Sequence, residues 1–197
     1  MRAERQAEPD GTRERILEAA WQLLEASPDL HVRLSDVAAA AGVSRQTIYL
    51  RFGDRAGLLL AAVRHRDATD LPQAFIAAAR HEAVPGALAS FVRAWVGYLP
   101  HIQPVAQLLS AGARVDANSR PAWEDRMSSL RNVILALTRR LAAAGLLRST
   151  WTADTAADWI WHRTHVDGWY HLVGERGWDP ADFADRVARS LESDLLA

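Results

Sequence analysis

Residues 34–59 read LSDVAAAAGVSRQTIYLRFGDRAGLL, and the order of apolar, turn-forming and capping residues in that stretch sets the architecture around it. Leu34, Val37, Ala38 and Ala41 recur at helical spacing, which gives a first helix one small apolar face. Gly42 follows, the residue that most easily takes the left-handed backbone of a helix end. Ser44 stands at an N-cap position, where its hydroxyl can accept a backbone N–H of the next turn. Val43 before that cap and Ile48 four residues after it are spaced as a hydrophobic staple. Ile48 and Phe52 then face inward. Gly53 closes this second helix, Asp54 caps the next, and Arg55 is its first residue.

Two short helices joined by a glycine turn form a helix-turn-helix, whose second helix is shaped for the major groove of double-stranded DNA. If Ile48 and Phe52 point inward, Arg45, Gln46, Tyr49 and Leu50 point outward, with Thr47 and Arg51 on the flanks. Arg and Gln make bidentate contacts to guanine and adenine edges. Tyr, Thr and Arg also bond phosphates, and an Arg at a helix N-terminus makes a ready phosphate site. The candidate DNA-binding residues are therefore Ser44, Arg45, Gln46, Thr47, Tyr49, Leu50, Arg51 and Arg55.

The pattern AxxAGVSxxTxYxxFxxxxxL, with a helix such as Arg13 to Glu25 ahead of it, resembles the DNA-binding domain of the TetR family of transcriptional regulators. Ala38, Ala41, Gly42, Val43, Ser44, Thr47, Tyr49, Phe52, Arg55 and Leu58 carry the match, which covers roughly residues 12–63. The resemblance implies that Arg45, Gln46 and Thr47 contact bases or the groove, and that Tyr49 and Arg55 contact phosphates. Three positions depart from the family pattern. Arg33 stands where Thr or Ser usually caps the first helix, so Ser35 or Asp36 could cap it two or three residues later. Gln46 replaces a common Gly, and Leu50 and Arg51 stand where His is common. These departures bear on which DNA sequence is preferred.

The 197-residue chain is 49% hydrophobic, rich in Ala, Leu, Arg and Glu and sparse in β-branched residues, which favours an all-α fold. It has no cysteine, so disulfides and thiolate metal sites are excluded. No apolar run reaches the roughly 18 residues of a membrane span, and no signal-peptide core is present, so a cytoplasmic protein without membrane contact is expected. Net charge is −1, at first sight adverse to a nucleic-acid reader. Its distribution is not: Ser44 to Arg66 holds five arginines against Asp54 alone, whereas residues 67–197 hold 13 arginines against 15 acids. That is the footprint of a cationic reading head on a near-neutral body. All 23 basic residues are arginine, so every cationic contact would be a guanidinium fork.

The expected organisation is a mobile tail at 1–10, a helix-turn-helix domain at 11–54 and an effector-binding and dimerisation domain at 55–197. Helix 1 starts near Asp10 or Thr12, buries Ile16, Leu17, Ala20, Leu23 and Leu24, and stops at Pro28-Asp29. A helix from Arg55 to about Asp70 leads to a joint at Leu71-Pro72. Helices are then expected at about Gln73–Glu82 and Pro85–Leu99, with Pro100 and Pro104 breaking or kinking the next piece. Arg114 to Arg120 reads as a polar loop, and Pro121 opens a long helix ended by Gly145. Thr152 or Asp154 caps a helix through about Val173, and Asp179-Pro180 starts the last one, to Leu195. The resemblance implies a three-helix head on a six-helix body, with the last two helices pairing with a second copy. A dimer is needed physically as well, because one short recognition helix reads too few bases.

Seven of the eight tryptophans lie beyond Leu71. The resemblance implies an effector pocket among the body helices, and aromatic walls suit a flat or apolar small molecule. The candidates are Trp95, Tyr98, Trp123, Trp159, His162, His165 and Trp169. On one continuous helix Trp159, Trp161 and Trp169 lie about 200° and about 1000° apart in phase, so some must pack in the core or an interface. His162 and His165, with His171 nearby, lack a zinc spacing such as HExxH, and no metal or cofactor is expected. No catalytic motif is present either: a G-x-S-x-G elbow, a P-loop and GxGxxG are all missing. The expected function is a ligand-responsive regulator, a repressor released from a palindromic operator. A ligand-independent dimeric DNA-binding or architectural protein is the alternative.

Overall fold

The computed structural model describes residues 9–26, 32–70, 86–115, 117 and 120–197. Among them it is all-α, without a β-strand. The helices are α1 (Pro9–Ala26), α2 (Leu34–Ala41), α3 (Arg45–Phe52), α4 (Arg55–Asp70), α5 (Ala87–Val115), α6 (Arg120–Ala143), α7 (Ala153–Arg163), α8 (Val166–Trp169) and α9 (Pro180–Leu195), with a π-helical stretch at Tyr170–Glu175 after α8. The chain forms two compact units, Met1–Thr69 with Pro104–Trp123 and Asp70–Gln103 with Glu124–Ala197. The tail at 1–8, Pro28-Asp29, the joint at Leu71-Pro72 and the helix expected at Gln73–Glu82 lie outside the described residues.

In the first unit α1 packs on α2 and α2 on α3. Ile16, Leu17, Ala20 and Leu24 of α1, Val37, Ala38 and Ala41 of α2, Ile48 of α3, and Leu58, Leu59, Ala62 and Val63 of α4 are all buried. Two details of α1 differ from expectation. It begins at Pro9, where proline's fixed φ suits a first helical position. Trp21, rather than Leu23, is buried beside Leu17 and Leu24. Its indole N–H donates to Glu25 at 2.7 Å, and the Arg66 guanidinium lies 5.1 Å from the ring centroid. A ring with a polar edge thus fills the core while its N–H stays bonded.

The larger revisions lie beyond α4. α5 runs unbroken through Pro100 and Pro104, contrary to the expected break. Each proline removes a helical hydrogen bond at a cost of about 3 kcal/mol, but Val92, Val96, Leu99, Ile102, Val105 and Leu109 are buried along α5. At about 1.5–3 kcal/mol for each fully buried side chain, that row outweighs the two prolines. The expected loop at Arg114–Arg120 shortens, since α5 reaches Val115 and α6 starts at Arg120.

The helix expected from Asp154 to Val173 is interrupted. Thr152 caps α7 in a reciprocal capping box with Thr155, but the helix stops at Arg163. Thr164, fully buried, turns its hydroxyl onto the Ile160 carbonyl at 2.8 Å. His165 is extended (φ −64°, ψ 142°), and its Nδ1 accepts from the Asp167 N–H at 3.3 Å, capping α8. The Trp95 indole N–H donates to the Thr164 carbonyl at 2.9 Å. The break is therefore held by a residue distant in sequence, and the phase argument does not extend from Trp161 to Trp169. Asp179 caps α9 by accepting from the N–H groups of Ala181 and Asp182, and α9 ends at Leu195 as expected.

Candidate nucleic-acid interface

The helix-turn-helix forms by the local rules read above, with one exception at its start. Gly42 is left-handed (φ 64°, ψ 39°) and ends α2, with the Val43 N–H bonded to the Ala38 carbonyl at 2.9 Å. Ser44 is extended, and its hydroxyl oxygen accepts from the Thr47 N–H at 3.1 Å. The two hydroxyls of Ser44 and Thr47 lie 2.9 Å apart. The start of α2 does not move to Ser35 or Asp36. Arg33 occupies the N-cap position and makes no side-chain capping bond. Its extended backbone (φ −92°, ψ 146°) and the Asp36 carboxylate in the first turn, which favours the positive helix end, suffice.

α3 shows a buried side and an exposed one. Ile48 is fully buried and Phe52 half-buried, with the Arg13 guanidinium 5.9 Å from the Phe52 ring centroid. Ser44, Arg45, Gln46, Tyr49, Leu50 and Arg51 are exposed and Thr47 is half-exposed. Seven of the eight expected DNA-binding residues thus share one accessible face and its margins.

Arg55 stands apart. Its Nε donates to the Val32 carbonyl at 3.0 Å, the last backbone group but one before α2. Burial lowers its pKa below the usual guanidinium value, although an arginine stays protonated at neutral pH. Arg55 is therefore a brace inside the head, whatever else its fork touches. Asp54 caps α4 by accepting from the Gly57 N–H at 2.8 Å. Gly57 escaped the sequence reading. A β-carbon there would collide with the Phe52 carbonyl oxygen, so glycine is what lets α4 start tight against the end of α3.

The expected effector residues occupy several places. Trp123 falls in the first unit and the other six in the second. Trp95 and Tyr98 are buried on α5, their ring centroids 6.3 Å apart. Trp159 and His162 belong to a cluster on α7, in which the Trp159 ring lies 6.2 Å from that of Trp151, tilted by 31°, and its indole N–H donates to the Asp194 carboxylate at 3.1 Å. His165 faces Trp161 edge-on at 5.1 Å. Trp169 is buried, and neither its indole N–H nor that of Trp161 is bonded among the described residues. A cleft of about 500 Å³ opens beside α7 and α9, bordered by Trp161, His162, Arg163, His165, Phe183 and Val187. Of the expected residues only His162 and His165 reach it. Its lining joins residues on both sides of the break at Thr164 with residues of α9, so aromatic spacing along the chain does not reveal it. Among the described residues no helix is long and apolar enough to cross a membrane.

A capped recognition helix with an exposed cationic and amide face defines the first unit as a helix-turn-helix domain of the DNA-binding type. Residues 16–62 match the family of bacterial regulatory proteins of the tetR type. The HTH-type transcriptional regulator AlkX of Mycobacterium tuberculosis is 52% identical over 46 residues, 23% of this chain and 22% of AlkX, so this likeness speaks for the head alone. A protein of Saccharomonospora viridis solved in complex with choline superposes with a TM-score of 0.74 at 22% identity, over 95% of this chain and 99% of that one. The transcriptional regulator FadR from Bacillus subtilis, solved with stearoyl-CoA, gives 0.72 at 15% identity, over 92% and 98%. Over residues 16–62 the chain is thus similar to the tetR family of bacterial regulatory proteins, and over its length it shares the fold of these solved structures.

Proposed function

We propose that this chain is a homodimeric, ligand-responsive repressor that binds a palindromic operator in double-stranded DNA and is released by a small, largely apolar or aromatic effector. The observation that carries the DNA-binding part is the face of α3: Arg45, Gln46, Tyr49, Leu50 and Arg51 exposed on a helix fixed by the Ser44 cap and the buried Ile48. Arg45 and Gln46 contact bases, and Ser44, Thr47, Tyr49 and Arg51 the groove walls and phosphates. Arg55 reaches phosphate from the start of α4 while bracing Val32.

Pairing of two copies runs through α7–α8 and α9. The open cleft beside them and the unbonded indole N–H of Trp161 on its border suit a face that a second copy covers. The effector site lies in the aromatic-rich body, with Trp95, Tyr98, Trp123, Trp159, His162, His165 and Trp169 as its candidates. Structural relatives carry choline and an acyl-CoA, which agrees with a ligand-responsive body. For release, the ligand must bind the operator-incompetent arrangement more tightly than the competent one. The domain plan is a head at 11–54 and a body at 55–197.

Selection of bound fragments from a random duplex pool tests the proposal. An inverted repeat supports the dimeric regulator. Enrichment without a shared motif would replace it with the architectural reading, and no enrichment would refute DNA binding. Tryptophan fluorescence against a library of aromatic and lipophilic compounds, followed by operator release, tests the effector part.

A further inference from the structure

Leu50 is 81% exposed, on the one face of α3 that the proposed function turns toward DNA. At 100° per residue, Ile48 and Phe52 centre the buried side of α3, and the direction opposite their mean falls on Leu50, with Gln46 about 40° away. The side chain furthest from the protein core on the recognition helix is thus aliphatic. Gln46 and the half-exposed Thr47 flank it by phase, and the same helix also exposes Arg45, Tyr49 and Arg51. A second copy of the same cationic surface would be repelled there, whereas a polyanion is attracted.

The one apolar group that a duplex presents in its major groove is the thymine C5-methyl. We infer that Leu50 is a specificity-determining residue that packs on a thymine methyl. The inference rests on the DNA-binding reading above. Leu50 follows Gln46 by four residues, about 6 Å along the helix axis. With bases stacked about 3.4 Å apart per strand, the thymine lies within about two base pairs of the base that Gln46 reads.

The test uses the full-length chain and the duplex enriched from a random pool. Each thymine of the half-site is replaced singly by deoxyuridine, which removes only the methyl, and binding is followed by fluorescence anisotropy. For the wild type, one position per half-site loses affinity by about fourfold, the value of one buried methyl-sized group. Leu50→Ala, at an exposed position, keeps the fold and makes that same position indifferent to the methyl. The position falls within about two base pairs of the one whose base preference Gln46→Ala relaxes. Indifference to uracil everywhere in the wild type would overturn the inference, as would a methyl effect of equal size in Leu50→Ala. Either result leaves DNA binding standing. Failure to enrich any DNA removes the DNA-binding reading and the role of Leu50 together.

Discussion

Trp95→Phe is expected to destabilise the second unit strongly, through a hydrogen bond rather than through lost aromatic area alone. Trp95 is 7% exposed and its indole N–H donates at 2.9 Å to the carbonyl of Thr164, which is fully buried where α7 stops. Phenylalanine preserves most of the ring but deletes the donor. Depriving a buried carbonyl of its partner costs about 1–3 kcal/mol. The smaller ring leaves unfilled space worth roughly 1 kcal/mol more. The sum, about 2–4 kcal/mol, is a large part of the stability of a typical domain, about 5–15 kcal/mol. For a chain of this length it corresponds to a fall in Tm of roughly 5–15 °C. Urea unfolding at fixed protein concentration measures it, the concentration being held because dimerisation adds to apparent stability. Trp178→Phe is the control: this residue is 40% exposed, stacks only on Arg186 among its described ring contacts, and is expected to shift stability by less than about 0.5 kcal/mol. If Trp95→Phe were as mild as Trp178→Phe, the reading of Trp95 as the clamp on the α7–α8 break would be wrong.

Ser44→Ala is expected to cost the head about 1 kcal/mol by removing the cap on Thr47. Ser44→Asp keeps the cap and the stability but loses operator affinity by repulsion, a divergence visible when thermal melts and DNA titrations are compared. Gly57→Ala places a β-carbon on the Phe52 carbonyl and is expected to destabilise the head by about 1–3 kcal/mol; Gly97→Ala, an exposed helical site with open space around it, is neutral or slightly stabilising. Arg55→Ala weakens binding to all DNA alike, makes the log–log salt slope shallower by about one per half-site, and also lowers head stability by about 1 kcal/mol through the lost bond to Val32. Loss of stability with an unchanged salt slope would leave Arg55 as a brace only. The Arg93 guanidinium, bonded to Asp185 at 2.7 Å, holds that carboxyl below its ordinary pKa. The folded value being the lower one, the stabilisation is complete above the unfolded pKa near 3.8 and disappears as pH falls through the folded value. In an NMR titration Asp185 returns to the ordinary carboxylate range in Arg93→Ala, and the effect weakens with salt because the pair is exposed.

The head was legible because its determinants lie within a few residues of one another. A glycine four residues past Ala38, a serine three before Thr47 and an aspartate three before Gly57 each act through a backbone bond across one turn. Such rules can be applied without knowing what packs where. The exceptions in the head are those where packing decides: Trp21 took an inward place that phase alone offered equally to Leu23, and Arg55 turned to a carbonyl 23 residues upstream.

Beyond α4 the same rules fail for a reason that can be stated in energies. Proline at 100 and 104 is a strong local stop signal, yet a row of buried Val, Leu and Ile on the same helix exceeds it. Conversely, there is no proline between Asp154 and Val173, and the one glycine, Gly168, sits within α8, yet the chain breaks at Thr164, whose carbonyl accepts from a buried indole 69 residues away. Local preference is worth a few tenths to a few kcal/mol per residue, and a buried side chain or a buried hydrogen bond matches it. The cleft beside α7 and α9 adjoins that break. Its border combines residues before the break, Trp161 to Arg163, with Phe183 and Val187 of α9. A search along the sequence for aromatic spacing therefore finds the right helix but not the face it presents. Trp95, which lies on neither helix, bonds the chain where α7 stops, and its sequence context mentions neither.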